Sequence, residues 1–248
     1  MFNATLEDVS LLRNSLEAVA ELIEEAELLV NEDGIHLTAS DRAVVAVANL
    51  KIDKKIFKKF TVKKETSLGL NLPDFMEILK RVNDDDKLTM EYKDNRLHLS
   101  MVNGSERNFV VPLIDIASED APSIDKLEFP AEIKISTDVL TNGINDAQLF
   151  ADSLVFNVTG DEVVLNTESD NRVAEMKLNK KSDGLIKLKS DKQVKSRYSL
   201  DYLKKMIKAK KLTDKVTLNL SNDYPMKLNF EVPKKVSLNF ILAPRVEE

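Results

Sequence analysis

Lysine recurs at helical spacing in one stretch near the end of the chain. Lys204, Lys208 and Lys211, flanked by Lys205 and Lys210, stand opposite an apolar side made of Leu200, Leu203, Met206 and Ile207. Ammonium groups so arranged can neutralise phosphates, although a charged helix face is more often plain solvated surface. What sets this one apart is its company: Arg13, Lys80 and Arg81 occupy the polar faces of other predicted helices in a chain of net charge -6. Cations confined to the helices of an anionic molecule suggest one surface suited to a polyanion. No aromatic residue interleaves these faces, which disfavours stacking on unpaired bases and favours sequence-neutral contact with duplex phosphates.

Other chemistry is hard to assemble. There is no cysteine, and His36 and His98, both on strand-like runs, are the only histidines, so a nucleophile with an adjacent base is not in view. Six glycines leave no phosphate-cradling loop, and neither the P-loop nor the dinucleotide fingerprint occurs. Asp84, Asp85 and Asp86 invite a metal reading, but sequence neighbours cannot all reach one ion without a wrapping loop and further oxygen ligands. They read as a connecting turn. No catalytic residue, metal or cofactor is expected.

The elements that must position the cations occur twice. Asn71 to Tyr92 aligns without a gap on Ser199 to Leu220, so that Leu72 falls on Leu200, Phe75 on Leu203, Leu79 on Ile207 and Lys80 on Lys208, a shift of 128 positions. Each copy reads as a short amphipathic helix, a polar turn and a strand. The same shift places Leu11, Leu12 and Leu16 on Val139, Leu140 and Ile144. So long a period is a duplicated domain and not a solenoid repeat.

In chain order, Phe2 to Thr5 reads as a strand and a helix follows from about Asp8, burying Leu11, Leu12, Leu16, Val19 and Ala20. AELLV, GIHLTA and AVVAVANLKI read as strands, the first two joined by a tight turn in which the Gly of Asp33-Gly34 supplies positive φ. Lys51 to Lys64 is the densest basic run and reads first as a solvated edge strand and loop. Pro112, which lacks an N–H, puts RNFVVPLIDI at a sheet edge; Arg172 to Leu178 is the matching exposed strand of the second half. Two edges on one chain suggest self-association by strand pairing. Ala117 to Lys126 alone has linker composition.

The 248 residues suit two domains, each able to bury a core. No apolar run approaches the ~18 residues of a membrane helix, no signal peptide is legible at the start, and the absence of cysteine makes an intracellular location the default.

Over its full length the chain resembles the sliding clamp of archaeal and eukaryotic replication, proliferating cell nuclear antigen. The resemblance is carried by GIHLTASDRAVVAV (34–47), LGLNLPDFMEILKR (68–81), FVVPLIDI (109–116), KLEFPAEI (126–133) and the terminal LAPRVEE (242–248), in this order around an internal duplication. The short acidic ending and the lack of cysteine look archaeal. The resemblance implies an α+β fold of two similar clamp domains, duplicated helix-plus-antiparallel-sheet units at 1–116 and 129–248 with a connector at 117–128. It further implies three chains head to tail in a ring, non-enzymatic, that encircles duplex DNA and confers processivity on the replicative polymerase. The lining cations are then expected to be Arg13, Lys80, Arg81, Lys204, Lys205, Lys208 and Lys211. TDVLTNGINDAQ departs from relatives, which often carry basic residues there.

By the same resemblance, the strand around Phe109, Val110 and Val111 pairs with that around Val173, Ala174 and Met176 of the next chain. A pocket for short partner motifs falls on Ser40, Val45, Leu127, Phe129, Pro225, Ile241, Ala243 and Pro244. Ser40 stands where some relatives have a larger apolar residue. Implied partners are double-stranded DNA, the clamp loader (replication factor C), DNA polymerase, flap endonuclease and DNA ligase, with no membrane, in the cytoplasm at the nucleoid. Two other readings stay open from sequence: a subunit of a heterotrimeric clamp, and an interaction scaffold that never meets DNA. An enzyme acting on nucleic acid through Asp84 to Asp86 ranks behind both.

Overall fold

The computed structural model describes residues 2–116 and 126–245, so the linker reading of Ala117 to Lys126 falls almost wholly outside the described residues. The chain divides into two compact units: Met1–Arg42, Ala48–Ala121 and Val232–Leu238 in the first, and Ala43–Val47, Pro122–Glu231 and Asn239–Glu248 in the second.

The first half of the chain contains β1 (Phe2–Leu6), α1 (Ser10–Ala20), β2 (Glu25–Asn31), β3 (Gly34–Ser40), β4 (Ala46–Asp53), β5 (Lys59–Val62), β6 (Thr66–Asn71), α2 (Leu72–Leu79), β7 (Lys87–Lys93), β8 (Arg96–Asn103) and β9 (Ser105–Pro112). Its five-stranded sheet runs β5-β1-β7-β8-β9, and a second run of strands is β4-β3-β2-β6. The second half of the chain contains β10 (Ala131–Ser136), α3 (Thr137–Ala147), β11 (Ser153–Val158), β12 (Glu162–Ser169), β13 (Arg172–Asn179), β14 (Leu185–Ser190), β15 (Val194–Ser199), α4 (Leu200–Met206), β16 (Lys215–Leu220), β17 (Met226–Val232) and β18 (Val236–Leu242). Its strands run β14-β10-β16-β17-β18 and β13-β12-β11-β15. The two units therefore repeat one plan.

Local sequence explains the elements. In β10 Ala131, Ile133 and Ile135 are buried while Glu132 and Lys134 face outward, the period-2 pattern of a half-buried strand. In α2 Leu72, Phe75, Met76 and Leu79 form the buried stripe. Asn71 caps it by accepting the Asp74 N–H at 3.0 Å, and Pro73 sits in the first turn, where a missing N–H costs nothing. Burying each large apolar side chain of this kind contributes about 1.5–3 kcal/mol.

Three local readings need correction. The tight turn between β2 and β3 is centred on Glu32 and Asp33, since Asn31 faces Gly34 across the ladder. Gly34 lies just past the turn, opening β3; it does have the positive φ expected of it, +150, and it also permits a close approach, since a Cβ there would lie 1.9 Å from the Ile52 carbonyl oxygen. The helix after β1 starts at Ser10, whose N–H is accepted by Asp8 at 2.8 Å; it buries Ser15 and Ala18, while Leu11 and Ala20 are only half-buried. In the second copy of the repeated stretch the α-helix stops at Met206 and a 3₁₀ turn carries Ile207–Lys211. Met206, Ala209 and Leu212 are buried at every third residue, which suits three residues per turn better than 3.6.

β9 and β13 are edge strands, as read from Pro112 and from the match of Arg172 to Leu178 to that strand; of the Lys51 to Lys64 run only Lys59–Val62 forms an edge strand, β5, whereas Lys51 to Asp53 end β4, which is not an edge.

Candidate nucleic-acid and partner interfaces

The two helices of each unit pack on each other, α1 on α2 and α3 on α4. In the first unit Lys80 and Arg81 are exposed at the C-terminal end of α2. Arg13 is turned along the surface: its Nη1 donates to the Val82 carbonyl at 3.0 Å and its Nη2 lies 3.7 Å from Asp84. One guanidinium thus closes the end of α2 as well as carrying charge.

The triple-aspartate turn is structural. Asp86 is buried, accepts the Asn83 N–H at 2.6 Å and pairs with Arg107, whose other amino group donates to the Arg81 carbonyl at 3.0 Å. The Asn83 N–H and then Arg107 hold the Asp86 carboxyl below the usual carboxylate range. Among the described residues no group of acidic and histidine side chains is placed to hold a metal ion.

In the second unit Lys204, Lys205, Lys208 and Lys211 are all exposed. The 3₁₀ turn eclipses residues three apart, which sets Lys208 and Lys211 in line, and the preceding α-helical turn puts Lys204 on the same side. Lys210 leans to Asp138 of α3 at 3.8 Å. The exposed side of α3 carries Asp138, Asn142, Asn145 and Asp146 and no cation.

The residues assigned to partner binding divide between the units. Ser40 is half-buried at the end of β3 in the first. In the second, the Ala243 N–H donates to the Val45 carbonyl at 2.9 Å, tying the tail to the segment Ala43–Val47. Phe129 meets Tyr224 edge to face at 6.1 Å, next to Pro225. Tyr224 in turn accepts, through its carbonyl, the phenol of buried Tyr198 at 2.8 Å; burial raises the Tyr198 pKa and keeps it neutral. Ile241 is buried, whereas Leu127, Phe129, Pro225, Ala243 and Pro244 are half-buried and offer apolar surface.

Sequence reading passed over several neighbours. The Arg245 N–H donates to the Arg197 carbonyl at 2.7 Å and its guanidinium pairs with Asp152 at 2.6 Å. Arg245 holds the Asp152 carboxyl below its ordinary range. With Val155, Lys195, Asn222 and Pro244 these arginines line a cleft of about 400 Å³. Val44 is 59% exposed at φ 55, a conformation that strains a β-branched residue by about 1–3 kcal/mol. Only its place before Val45 could have drawn notice.

Of the edge-strand residues, Val110 and Val173 are 48% and 64% exposed, while Phe109, Ala174 and Met176 are half-buried and Val111 faces its own core. The free backbone of β9 and β13 is what each edge offers a partner.

Known proteins match this arrangement. Residues 1–119 match the N-terminal domain of proliferating cell nuclear antigen and residues 123–245 its C-terminal domain. The DNA polymerase sliding clamp 1 of Pyrobaculum aerophilum is 32% identical over 233 residues, covering 94% of this chain and 93% of that protein. The DNA polymerase sliding clamp of Pyrococcus furiosus is 32% identical over 234 residues, covering 94% of each. Among solved structures, proliferating cell nuclear antigen from Thermococcus kodakaraensis superposes with a TM-score of 0.92 at 23% identity, over 99% of this chain and 100% of that one. The Entamoeba histolytica protein gives 0.90 at 26% identity over 99% of each. With both halves matched in order, the chain belongs to the proliferating cell nuclear antigen family of DNA sliding clamps.

Proposed function

We propose that three copies of this chain close head to tail into a ring around duplex DNA, with α1 to α4 of each copy toward the phosphates. The family is a non-enzymatic processivity factor, and the chain is a DNA sliding clamp. The finer assignments are these: β9 of one copy pairs with β13 of the next, through Phe109, Val110 and Val111 against Val173, Ala174 and Met176; domains span 1–116 and 129–248 around a connector at 117–128; and Arg13, Lys80, Arg81, Lys204, Lys205, Lys208 and Lys211 meet phosphates. Heterologous contacts close into a ring when the rotation permits.

The observation that carries this reading is the exposed line of Lys204, Lys208 and Lys211 in a molecule of net charge -6. Weak phosphate contact with no base-edge readout lets a ring slide, and topology keeps it on. Partners dock through short motifs at Ser40, Val45, Leu127, Phe129, Pro225, Ile241, Ala243 and Pro244, where a few apolar anchors can dominate the affinity. We assign the replicative polymerase, the clamp loader, flap endonuclease and DNA ligase to this site, and the ring to the cytoplasm at the nucleoid. Sedimentation equilibrium tests the assembly: the protein alone at micromolar concentration should run at three times its 28.0 kDa. A monomer would contradict the homotrimer, and a trimer formed only with a second clamp chain would make this one subunit of a heterotrimer.

A further inference from the structure

The two units share a feature that neither the lysine line nor the partner pocket uses. Lys51 to Lys64 holds seven lysines against one carboxylate, and the segment 128 positions on, Asn179 to Lys192, holds five against two. Both fall at one place in the plan: β5 is the edge strand paired with β1, the first strand of its unit, and β14 is the edge strand paired with β10, the first of the other. Every one of these lysines is exposed. Lys58, Lys180 and Lys187 are paired with Glu7, Asp161 and Glu132. Lys59, Lys63, Lys64, Lys181, Lys189 and Lys192 make no ion pair with any described residue.

Lysine on an edge strand guards it against unwanted strand pairing, and the β-bulge where Lys134 and Ile135 meet β14 serves that end too. A guard accounts for one or two lysines per edge, but not for repetition of a whole basic segment in both units of an acidic protein.

We infer that the β5 edge of the first unit and the β14 edge of the second are each a further phosphate-binding surface, outside the helix faces, that takes a nucleic-acid backbone. This rests on the DNA-clamp reading. An acidic protein partner fits less well: protein interfaces centre on apolar and aromatic anchors and are depleted of lysine, and of the large apolar side chains at these two edges only Ile186 is exposed. Lys187 and Lys189 stand on one face of β14, about 6.6 Å apart, and Lys59 opens β5 with Lys63 and Lys64 just past its end, point charges that read no bases.

The test is capture in trans. Rings are loaded on circular plasmid, which fills the hole, and then offered a labelled 30-base-pair linear duplex at about 50 mM salt. Capture should fall at least tenfold when Lys59, Lys63, Lys64, Lys181, Lys189 and Lys192 are changed to Gln, which keeps the edges polar, and should return when the same six are changed to Arg. Loss of about one phosphate contact per lysine predicts a matching drop in salt dependence. Equal capture by wild type and the Gln variant would overturn the inference, as would a Gln variant that loses only binding of an acidic peptide such as poly-Glu. Rings that leave the circle as fast as a linear plasmid, in wild type and variants alike, would instead fault the clamp reading beneath it.

Discussion

The helix pairs of the two units share a buried frame and differ in charge. Leu72 and Leu200, Phe75 and Leu203, and Leu79 and Ile207 are buried at equivalent places. On the outside, α4 and its 3₁₀ extension carry five lysines against Asp201, whereas the cations of α2, Lys80 and Arg81, are matched by Asp74 and Glu77 and followed by three aspartates. α1 sets Arg13 against Glu17, and α3 has Asp138 and Asp146 alone. Duplication has kept what packing demands and let the solvent face diverge. Screening beyond about 8–10 Å makes local charge what a phosphate senses, so DNA contact should lean on α4 of each copy.

Reversing Lys204, Lys208 and Lys211 to Glu should have the largest effect. Affinity for linear duplex at about 50 mM salt should drop well over tenfold and polymerase stimulation should vanish, while binding of a partner-motif peptide is unchanged. Reversing Lys80 and Arg81 should cost several-fold less; a loss as large as that from α4 would break the comparison. Asp138→Asn, which releases Lys210, should sharpen it, raising the slope of log affinity against log salt by about one.

Arg13→Ala should lower that slope by less than one full phosphate contact, because the guanidinium is shared with Val82 and Asp84, and should lower unfolding free energy by about 1 kcal/mol in urea titrations. The smallest expected effect concerns acid. Asp86 has its pKa lowered in the folded state, so the stability it contributes is fully present well above the ordinary aspartate value of 3.8 and is lost as pH falls through that value to the lower folded one. Asp86→Asn should therefore flatten the pH dependence of unfolding in that window, read from urea titrations repeated across it.

Much of this was legible in the chain. The shift of 128 exposed the duplication because buried positions recur wherever a plan recurs, and Pro112 marked β9 as an edge because it has no N–H to give. Other features depend on distances that spacing does not encode. Arg13 looked like a free cation on a polar face, but its partner carbonyl, Val82, lies 69 residues away. The 3₁₀ end of the second copy was hidden because lysines at 204, 208 and 211 fit either helix type until the burial of Ala209 and Leu212 decides between them. Gly34 was legible as a glycine of positive φ, but its second role, the close approach of Ile52, was not. The left-handed Val44 left no trace in composition at all.

Encirclement is tested most directly by comparing retention of the loaded protein on a circular plasmid and on the same plasmid linearised, as salt is raised. Survival on the circle with rapid loss from the linear form is the predicted result, since a closed path holds a ring that weak phosphate contacts cannot. Equal loss from both forms would reduce the lysine line to an ordinary electrostatic patch and contradict the clamp.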